Sequence, residues 1–306
     1  QRSAEECVED ALVEFRAQDY SWGTAAALAA LAAFGVLRGD LDTVRRRGEE
    51  SLRLFVDLGD GWGQLQATDA LAALAEVHGD YQSSAQLHRQ GLRIAETLGL
   101  WNEVSNKLSG LGRISLLHGD YTQARELHER SMRLAAEQGY TFGEQFAEIG
   151  LGMAERRQGR LSAAEVHLLR WLEWCRQVEG GHGVALILAE LGFIAEMRGD
   201  IDSALIAHRE GYDIARSTGD SRAVALAVEG VACTYSRIGE HKRAALLLGH
   251  AESVREASGA PLSQAERSDV ERALKRGTTA MGTMFDEIVI RGRGLEAAAV
   301  TSLVVD

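Results

Sequence analysis

Apolar and polar positions follow a helical period along most of the chain, and the same layout returns about every forty residues. The second half of each unit has a narrow apolar stripe at i, i+3, i+4, i+7, i+10 and i+11, as in 84–95, 124–135 and 204–215. This spacing indicates an amphipathic helix. One such stripe is too narrow to form a core alone, so neighbouring units must stack on each other. The pattern predicts an all-α chain of repeated helix pairs.

Glycines separate the predicted helices at a regular interval. One set lies forty residues apart, at Gly39, Gly79, Gly119, Gly159, Gly199 and Gly239. A second set lies about halfway between, at Gly59, Gly99, Gly139, Gly180 or Gly181, Gly219 and Gly259. A glycine after a helix often ends it in the left-handed conformation, and the aspartate that often follows here caps the next helix. We therefore predict a repeat array of about six helix-turn-helix pairs in residues 1–262.

Residues 263–306 are predicted to form a C-terminal capping segment. Ser263 and Glu266 have the spacing of a capping box, which predicts a helix that ends near Arg276. The final stretch, AAAVTSLVVD at 297–306, is apolar for a terminus. It either docks on the last helices or pairs with another chain, so a homo-oligomer stays open.

Composition favours helices and gives an acidic chain. Pro261 is the only proline, and the formal net charge is −12. Affinity for nucleic acid comes mostly from clustered lysine and arginine, so direct nucleic-acid binding is not expected. Cys7, Cys175 and Cys233 form no CxxC pair, which fits a reducing cytoplasm rather than a disulfide scaffold or a zinc site. We see no apolar run of membrane-spanning length and expect a cytoplasmic protein without a membrane segment.

Each unit also alternates large and small residues around its central turn. Tyr121 and Leu161 follow two of the turn glycines, and the small residues Ala124 and Ala164 lie three positions further on. This pattern resembles the tetratricopeptide repeat, in which a small residue lets two antiparallel helices approach closely. The units are longer than the usual thirty-four residues and lack the closing proline. The resemblance implies a right-handed superhelical solenoid whose first helices line a concave groove.

The C-terminal part has a second resemblance. The segment RAALLLGHAESVREASGAPLSQAER at 243–267 is similar to the end of the C-terminal sensor arms of actinobacterial transcriptional regulators. These include LuxR-type regulators with an ATPase module and the Streptomyces antibiotic regulatory proteins. The resemblance implies a non-catalytic arm for protein interaction or ligand sensing. It would bind a peptide, a small effector or its own ATPase module, with DNA-binding and ATPase domains upstream. A free-standing scaffold for partner proteins is the alternative.

The resemblance to the tetratricopeptide repeat places candidate binding residues on the first helices, along the concave groove. They are Asp69, Asn106, Ser109, Arg113, Phe146, Met153, Arg156, Arg157, Phe193, Glu196, Glu229 and Arg237. Three arginines beside two phenylalanines and a methionine suit an amphipathic or anionic ligand. The alternative is that these side chains only pack or face solvent.

Three histidines on the apolar stripe do not indicate a metal site or a catalytic site. His88, His128 and His208 occupy the same position of their units, and the small residue three positions later is expected to make room for each ring. Packed helices lie about 8–10 Å apart, whereas zinc ligands lie at about 2 Å, so the three cannot share a metal. Cys175 and Cys233 have no histidine partner in sequence, and no phosphate-binding loop is present. We predict no catalytic residue, no metal and no cofactor.

Overall fold

The computed structural model describes residues 3–178 and 182–305. Within these ranges the chain forms sixteen α-helices and no β-strand, which confirms the all-α prediction. In chain order the helices are α1 (Ala4–Ala17), α2 (Ser21–Arg38), α3 (Leu41–Asp57), α4 (Gly61–Val77), α5 (Tyr81–Leu98), α6 (Trp101–Leu117), α7 (Tyr121–Glu137), α8 (Thr141–Arg157), α9 (Leu161–Val178), α10 (His182–Arg198), α11 (Ile201–Thr218), α12 (Ser221–Arg237), α13 (His241–Ala257), α14 (Gln264–Met281), α15 (Thr283–Gly292) and α16 (Ala297–Val305). Helices α2 to α13 form consecutive pairs, in which the even-numbered helix is the first and the odd-numbered helix the second.

The turns between these helices contain glycines in the left-handed conformation. Their φ angles lie between 62° and 89°, where the Cβ of other residues is strained. Asp80 and Asp200 follow two of these glycines, and each accepts a hydrogen bond from the backbone N–H three residues later, at 3.0 and 3.1 Å. Hydrogen bonds from Ser83 and Ser203 lower the pKa of these two carboxyls. The predicted turn at 180 or 181 lies outside the described residues.

Contacts divide the chain into two compact units, of which unit 1 contains the described residues of Gln1–Ser115 and Glu126–Ala147. In unit 1, α2 packs on α3 and α4, and α4 packs on α5. The apolar stripes meet in small cores that bury Leu31, Phe55 and Leu65 almost completely. Burial of such side chains contributes about 1.5–3 kcal/mol each, so the stacked stripes supply the core that one helix pair lacks.

Helix α2 corrects one expectation from the sequence. It is long and apolar enough, by length and composition, to cross a membrane, so the expectation that no such segment exists was wrong. Half of this helix is buried inside unit 1, including Leu28 and Leu31. A core helix of a folded repeat passes the same test of length and composition, and the burial of α2 fits that role.

Unit 2 contains the described residues of Leu116–Arg125 and Glu148–Asp306. In it, α10 packs on α11 and α12, while α12 packs on α13 and α14. The predicted capping box starts α14: Ser263 Oγ accepts from the Glu266 N–H at 3.2 Å, and the Glu266 carboxylate accepts from the Ser263 N–H at 3.3 Å. Helix α14 then continues past the predicted end at Arg276 to Met281.

The apolar C-terminal stretch docks on the chain itself. Val300 and Val304 of α16 are fully buried in unit 2. The Nε of Arg209 in α11 donates to the carbonyl oxygen of Val304 at 2.6 Å, and the hydroxyls of Tyr212 and Thr301 lie 3.1 Å apart. Of the two alternatives for this stretch, the structure shows docking within the same chain.

The recurrent histidines are packing residues, but the space for their rings comes from another source than predicted. The His208 ring is fully buried and meets the Phe193 ring edge-on, with 4.9 Å between centroids. It lies against Gly192 of the preceding first helix, and the other two histidines also face glycines of first helices. Gly211, which was expected to make room for His208, faces Leu188 instead. That part of the prediction was wrong.

Candidate functional site

The candidate residues of unit 1 lie in two salt-bridged pairs and one exposed ring. Asp69 on α4 forms a salt bridge with the ammonium group of Lys107 on α6, whose side chain is buried. Arg113 on α6 donates from Nε to both carboxylate oxygens of Glu76 on α4, at 2.9 and 3.0 Å. Phe146, on the part of α8 that belongs to unit 1, is 43% exposed. These side chains leave charged and aromatic groups accessible on the first helices.

Two further candidates of unit 1 are less accessible. Ser109 is buried, and its hydroxyl donates to the hydroxyl of Ser131 on α7 at 2.9 Å. It therefore joins the two helices of its own pair. Asn106 is half-buried and donates to the Glu103 carboxylate at 3.5 Å. Neither is positioned as a direct contact for a partner in this conformation.

The candidate residues of unit 2 lie on three first helices, and most of them are buried. They are Met153, Arg156 and Arg157 on α8, Phe193 and Glu196 on α10, and Glu229 and Arg237 on α12. Only the side chain of Arg237 is substantially exposed. We define the unit-2 face as Arg156, Arg157, Glu196 and Ser236, the polar residues of these first helices that bond to α14, together with Glu190 on α10, which bonds to both arginines.

Arg156 is the centre of a buried ionic network. Its side chain is 1% exposed, and it donates to Glu190 at 2.5 Å and to both carboxylate oxygens of Asp269 on α14 at 2.9 and 3.1 Å. The Phe193 ring lies 4.8 Å from its guanidinium carbon, in cation–π geometry. Burial alone would lower the pKa of Arg156, but Asp269 and Glu190 raise it overall. Arg156 therefore stays charged and fixes the position of Asp269.

Arg157 extends the network to the backbone of α14. Its guanidinium donates to both oxygens of Glu190, at 3.0 and 3.2 Å, and its Nε donates to the carbonyl oxygen of Ala265 at 3.0 Å. Burial raises the pKa of Glu190, and the charge of Arg156 opposes that rise. Two guanidiniums thus share two buried carboxylates, those of Glu190 and Asp269.

A second group of bonds lies further along α14. The buried Glu196 carboxylate accepts from Arg272 at 3.2 Å and from Arg276 at 3.0 Å, both on α14. The Ser236 hydroxyl on α12 donates to the carbonyl oxygen of Ala273 at 3.1 Å. The sequence reasoning missed the residues of α14 that contact this face. The spacing of Asp269, Arg272 and Arg276 at i, i+3 and i+7, on one side of a helix, was a signal for them.

The cysteine in this region is not poised for catalysis. Cys233 is fully buried, and its thiol donates to the carbonyl oxygen of Asp269 at 3.4 Å. Burial, with nearby carboxylates adding to it, raises the pKa of the thiol well above its usual value, which keeps the weakly nucleophilic thiol form. In the part of the chain that the structure describes, no group of His, Cys, Asp or Glu side chains has an arrangement that could hold a metal.

A cavity of about 520 Å³ lies beside α14, and residues of α12, α13 and α15 also line it. Its apolar wall comes from Leu248, Pro261, Leu262, Val270, Leu274 and Val289. Glu229 and Arg255, which also line it, form a buried salt bridge with distances of 2.6 and 2.8 Å. Burial raises the pKa of Glu229, against the lowering by Arg255. The cavity therefore combines an apolar wall with one buried salt bridge, that of Glu229 and Arg255.

Comparisons with known proteins agree with the repeated helix pairs. Residues 145–217 match the model of the tetratricopeptide repeat family. The structure of BtubC (BKLC) from P. vanneervenii is similar over 74% of this chain and 93% of that chain, with 20% identity and a TM-score of 0.52. A Rap protein complexed with Competence and Sporulation Factor is similar over 92% of this chain and 96% of that chain, with 11% identity and a TM-score of 0.57. No curated protein sequence matches the chain. Residues 145–217 are therefore similar to tetratricopeptide repeats, and the two structural neighbours support the all-α repeat fold.

Proposed function

We propose that the chain is a non-catalytic protein-interaction module whose first helices bind a peptide or protein partner. The observation that supports this most directly is the face of unit 1, defined by Asp69, Glu76, Arg113 and Phe146. It keeps charged groups and an aromatic ring accessible, while the second helices use their apolar stripes for the core. The Rap protein, whose structure is a complex with Competence and Sporulation Factor, is consistent with a fold of this kind holding a separate molecule.

The chemistry of this face suits a peptide that has both charged and apolar side chains. The side chains of Arg113 and Glu76 are only 23% and 12% exposed, so their pair is costly to break and Arg113 offers a partner only its exposed part. An exposed aromatic ring gains more from being covered, and aromatic residues are frequent among the residues that dominate binding energy. Phe146 is therefore the expected anchor, and Arg113 contributes orientation.

Replacing Phe146 with alanine should weaken partner binding at least tenfold, because the anchor is lost while the core stays intact. The probe is a set of peptides selected on the wild-type chain from a random display library, with affinities measured by fluorescence polarisation. Val56→Ala is the matched control, because Val56 is 53% exposed on α3, a second helix of the same unit. Equal affinities of the peptides for wild type and Phe146→Ala, with both chains folded, would refute this binding face.

The kind of protein to which this module would belong is suggested by the resemblance of residues 243–267 to the sensor arms of actinobacterial regulators. On that ground we propose that it senses a signal for a cytoplasmic transcriptional regulator and binds a ligand or the regulator's own ATPase module. The reading frame upstream of Gln1 tests this proposal. A DNA-binding domain and a phosphate-binding loop are expected there. A frame that starts close to Gln1 contradicts the regulator and favours the free-standing scaffold.

The cavity beside α14 favours binding of a small effector as a second candidate function. Its volume lies within the range of about 300–1,000 Å³ that is typical of ligand sites, and its wall is mostly apolar. At its edge, Glu252 and Glu256 share the single guanidinium of Arg293, which leaves one negative charge. Arg255 is already bonded to Glu229. An apolar molecule with one ammonium group therefore fits better than an anionic one.

Dodecylamine should bind the chain at least tenfold more tightly than dodecanoate, measured by isothermal titration below the micelle concentration of each. Leu274→Trp fills the cavity and should abolish the amine binding. Ile290→Trp is the control, because Ile290 is 68% exposed on α15 and does not line the cavity. Equal binding of amine and carboxylate, or binding that survives Leu274→Trp, would contradict this effector site.

A further inference from the structure

Helix α14 meets the unit-2 face through charged and polar contacts, while its Ala273, Val270 and Leu274 pack with the apolar core of unit 2. Its side chains Asp269, Arg272 and Arg276 each bond to an oppositely charged residue of a first helix. Two of its carbonyl oxygens, those of Ala265 and Ala273, accept from side chains of that face. Interfaces that form and break are more polar than permanent cores. The contact with α14 has that character.

A second side of α14 borders the cavity. Val270 and Leu274 line the cavity of about 520 Å³, so part of their apolar surface contacts no other side chain there. Charged groups buried in pairs gain little net free energy, because the cost of removing them from water offsets much of their attraction. Both sides of α14 therefore limit how strongly it is held, although the pairs fix its position.

The three charged residues of α14 are complementary in charge to the residues that they contact on the unit-2 face. Residues at i, i+3 and i+7 lie on one side of a helix. Asp269 meets two guanidiniums, those of Arg156 and Arg157, with the closest contact at 2.9 Å to Arg156. Three and seven residues later on this helix the sign of the contact reverses, because Arg272 and Arg276 both meet Glu196. The face is complementary to a helix with the sequence Asp-x-x-Arg-x-x-x-Arg.

We propose that α14 is an intramolecular ligand of the unit-2 face, and that a partner helix with the same Asp-x-x-Arg-x-x-x-Arg spacing displaces it. The proposal rests on the proposed protein-interaction function and adds a second binding face with its own recognition pattern. A partner shifts the equilibrium only to the extent that it binds the open face more tightly than the closed one. Because a short tether gives α14 an effective concentration on the order of millimolar, the free site stays closed until such a partner arrives.

The test uses a fluorescent peptide with the sequence of residues 263–281 and the full chain. Wild type should bind this peptide weakly, because its own α14 fills the site. Asp269→Lys places a cation beside Arg156 and Arg157 and should release α14, so that the variant binds the peptide at least tenfold more tightly than wild type does. A peptide that contains the same Asp269→Lys change should bind neither chain. Glu271→Lys, on the exposed side of α14, is the matched control and should behave like wild type.

A second variant keeps the proposal testable if Asp269→Lys fails to fold. Arg272→Ala combined with Arg276→Ala removes the contacts with Glu196 and introduces no buried like charge, and it should raise peptide affinity at least threefold. Circular dichroism confirms that each variant is folded. Equal peptide affinity of wild type and the folded variants overturns the intramolecular ligand. If peptides selected on the unit-1 face still bind through Phe146, the proposed function stands even when this inference fails.

Discussion

Replacing Arg156 with alanine should lower the free energy of unfolding by about 3 kcal/mol, because two buried carboxylates lose their central partner. Glu190 is 1% exposed and Asp269 is 2% exposed, so water cannot replace the guanidinium. We expect the lower end of the usual range for breaking a buried ion pair, because Arg157 still contacts both carboxylates. Urea denaturation followed by circular dichroism measures the change.

Arg198→Ala is the matched control for this measurement. Arg198 pairs with Glu165 at 2.8 Å, but both side chains are about one-third exposed, so the loss should stay below about 1 kcal/mol. A rescue separates charge from packing. Arg156→Met combined with Asp269→Asn should recover most of the lost stability, because Glu190 still pairs with Arg157 and no uncompensated charge remains buried. A loss for Arg156→Ala no larger than that of the control would show that the network does not stabilise unit 2.

Acid should destabilise the protein well above the pH at which carboxyl groups are protonated. Burial lowers the pKa of His128 and of His208 to about 3, from an unfolded value of about 6.5. Arg156 further lowers the pKa of His208, and Asp269 opposes this. Between these values the unfolded chain binds more protons than the folded chain, so stability rises with pH. The contribution is complete above about pH 6.5 and is lost as the pH falls towards about 3.

Each of these histidines should lower the free energy of unfolding by about 3 kcal/mol as the pH falls from 6.5 to 4, since one pKa unit corresponds to about 1.4 kcal/mol. His208→Leu removes one titrating group, and Leu168 already occupies the equivalent position against Gly152. The variant should therefore show a flatter dependence of stability on pH in this range. An unchanged slope in His208→Leu would mean that its ring is not buried in the neutral form.

Local chemistry made the helices and turns predictable. A glycine such as Gly119 ends a helix because it adopts a positive φ without strain. Asp120 then caps the next helix by accepting a hydrogen bond from the backbone N–H three residues later. These interactions span a few residues, so one sequence reveals them. The capping box at Ser263 was predictable for the same reason.

The covering of the unit-2 face was not predictable in this way. Arg156 and Asp269 are 113 residues apart in the chain, and each alone is typical of a solvated helix side. The resemblance placed Arg156 on a first helix but could not show that α14 lies over it. The space for the His128 ring was missed for a similar reason, because it comes from Gly112 on the partner helix of the pair. Contacts between distant segments need the fold itself.

The position of α14 near the end of the chain also has a consequence for protein synthesis. Ribosomes add about 5–20 residues per second, so α14 follows the first helices of unit 2 by several seconds. During that interval Arg156, Arg157 and Glu196 are made but lack their later partners on α14. A partner that meets the nascent chain then binds an open site, with no competing helix to displace. The order of synthesis thus gives an early partner an advantage that a partner of the finished protein does not have.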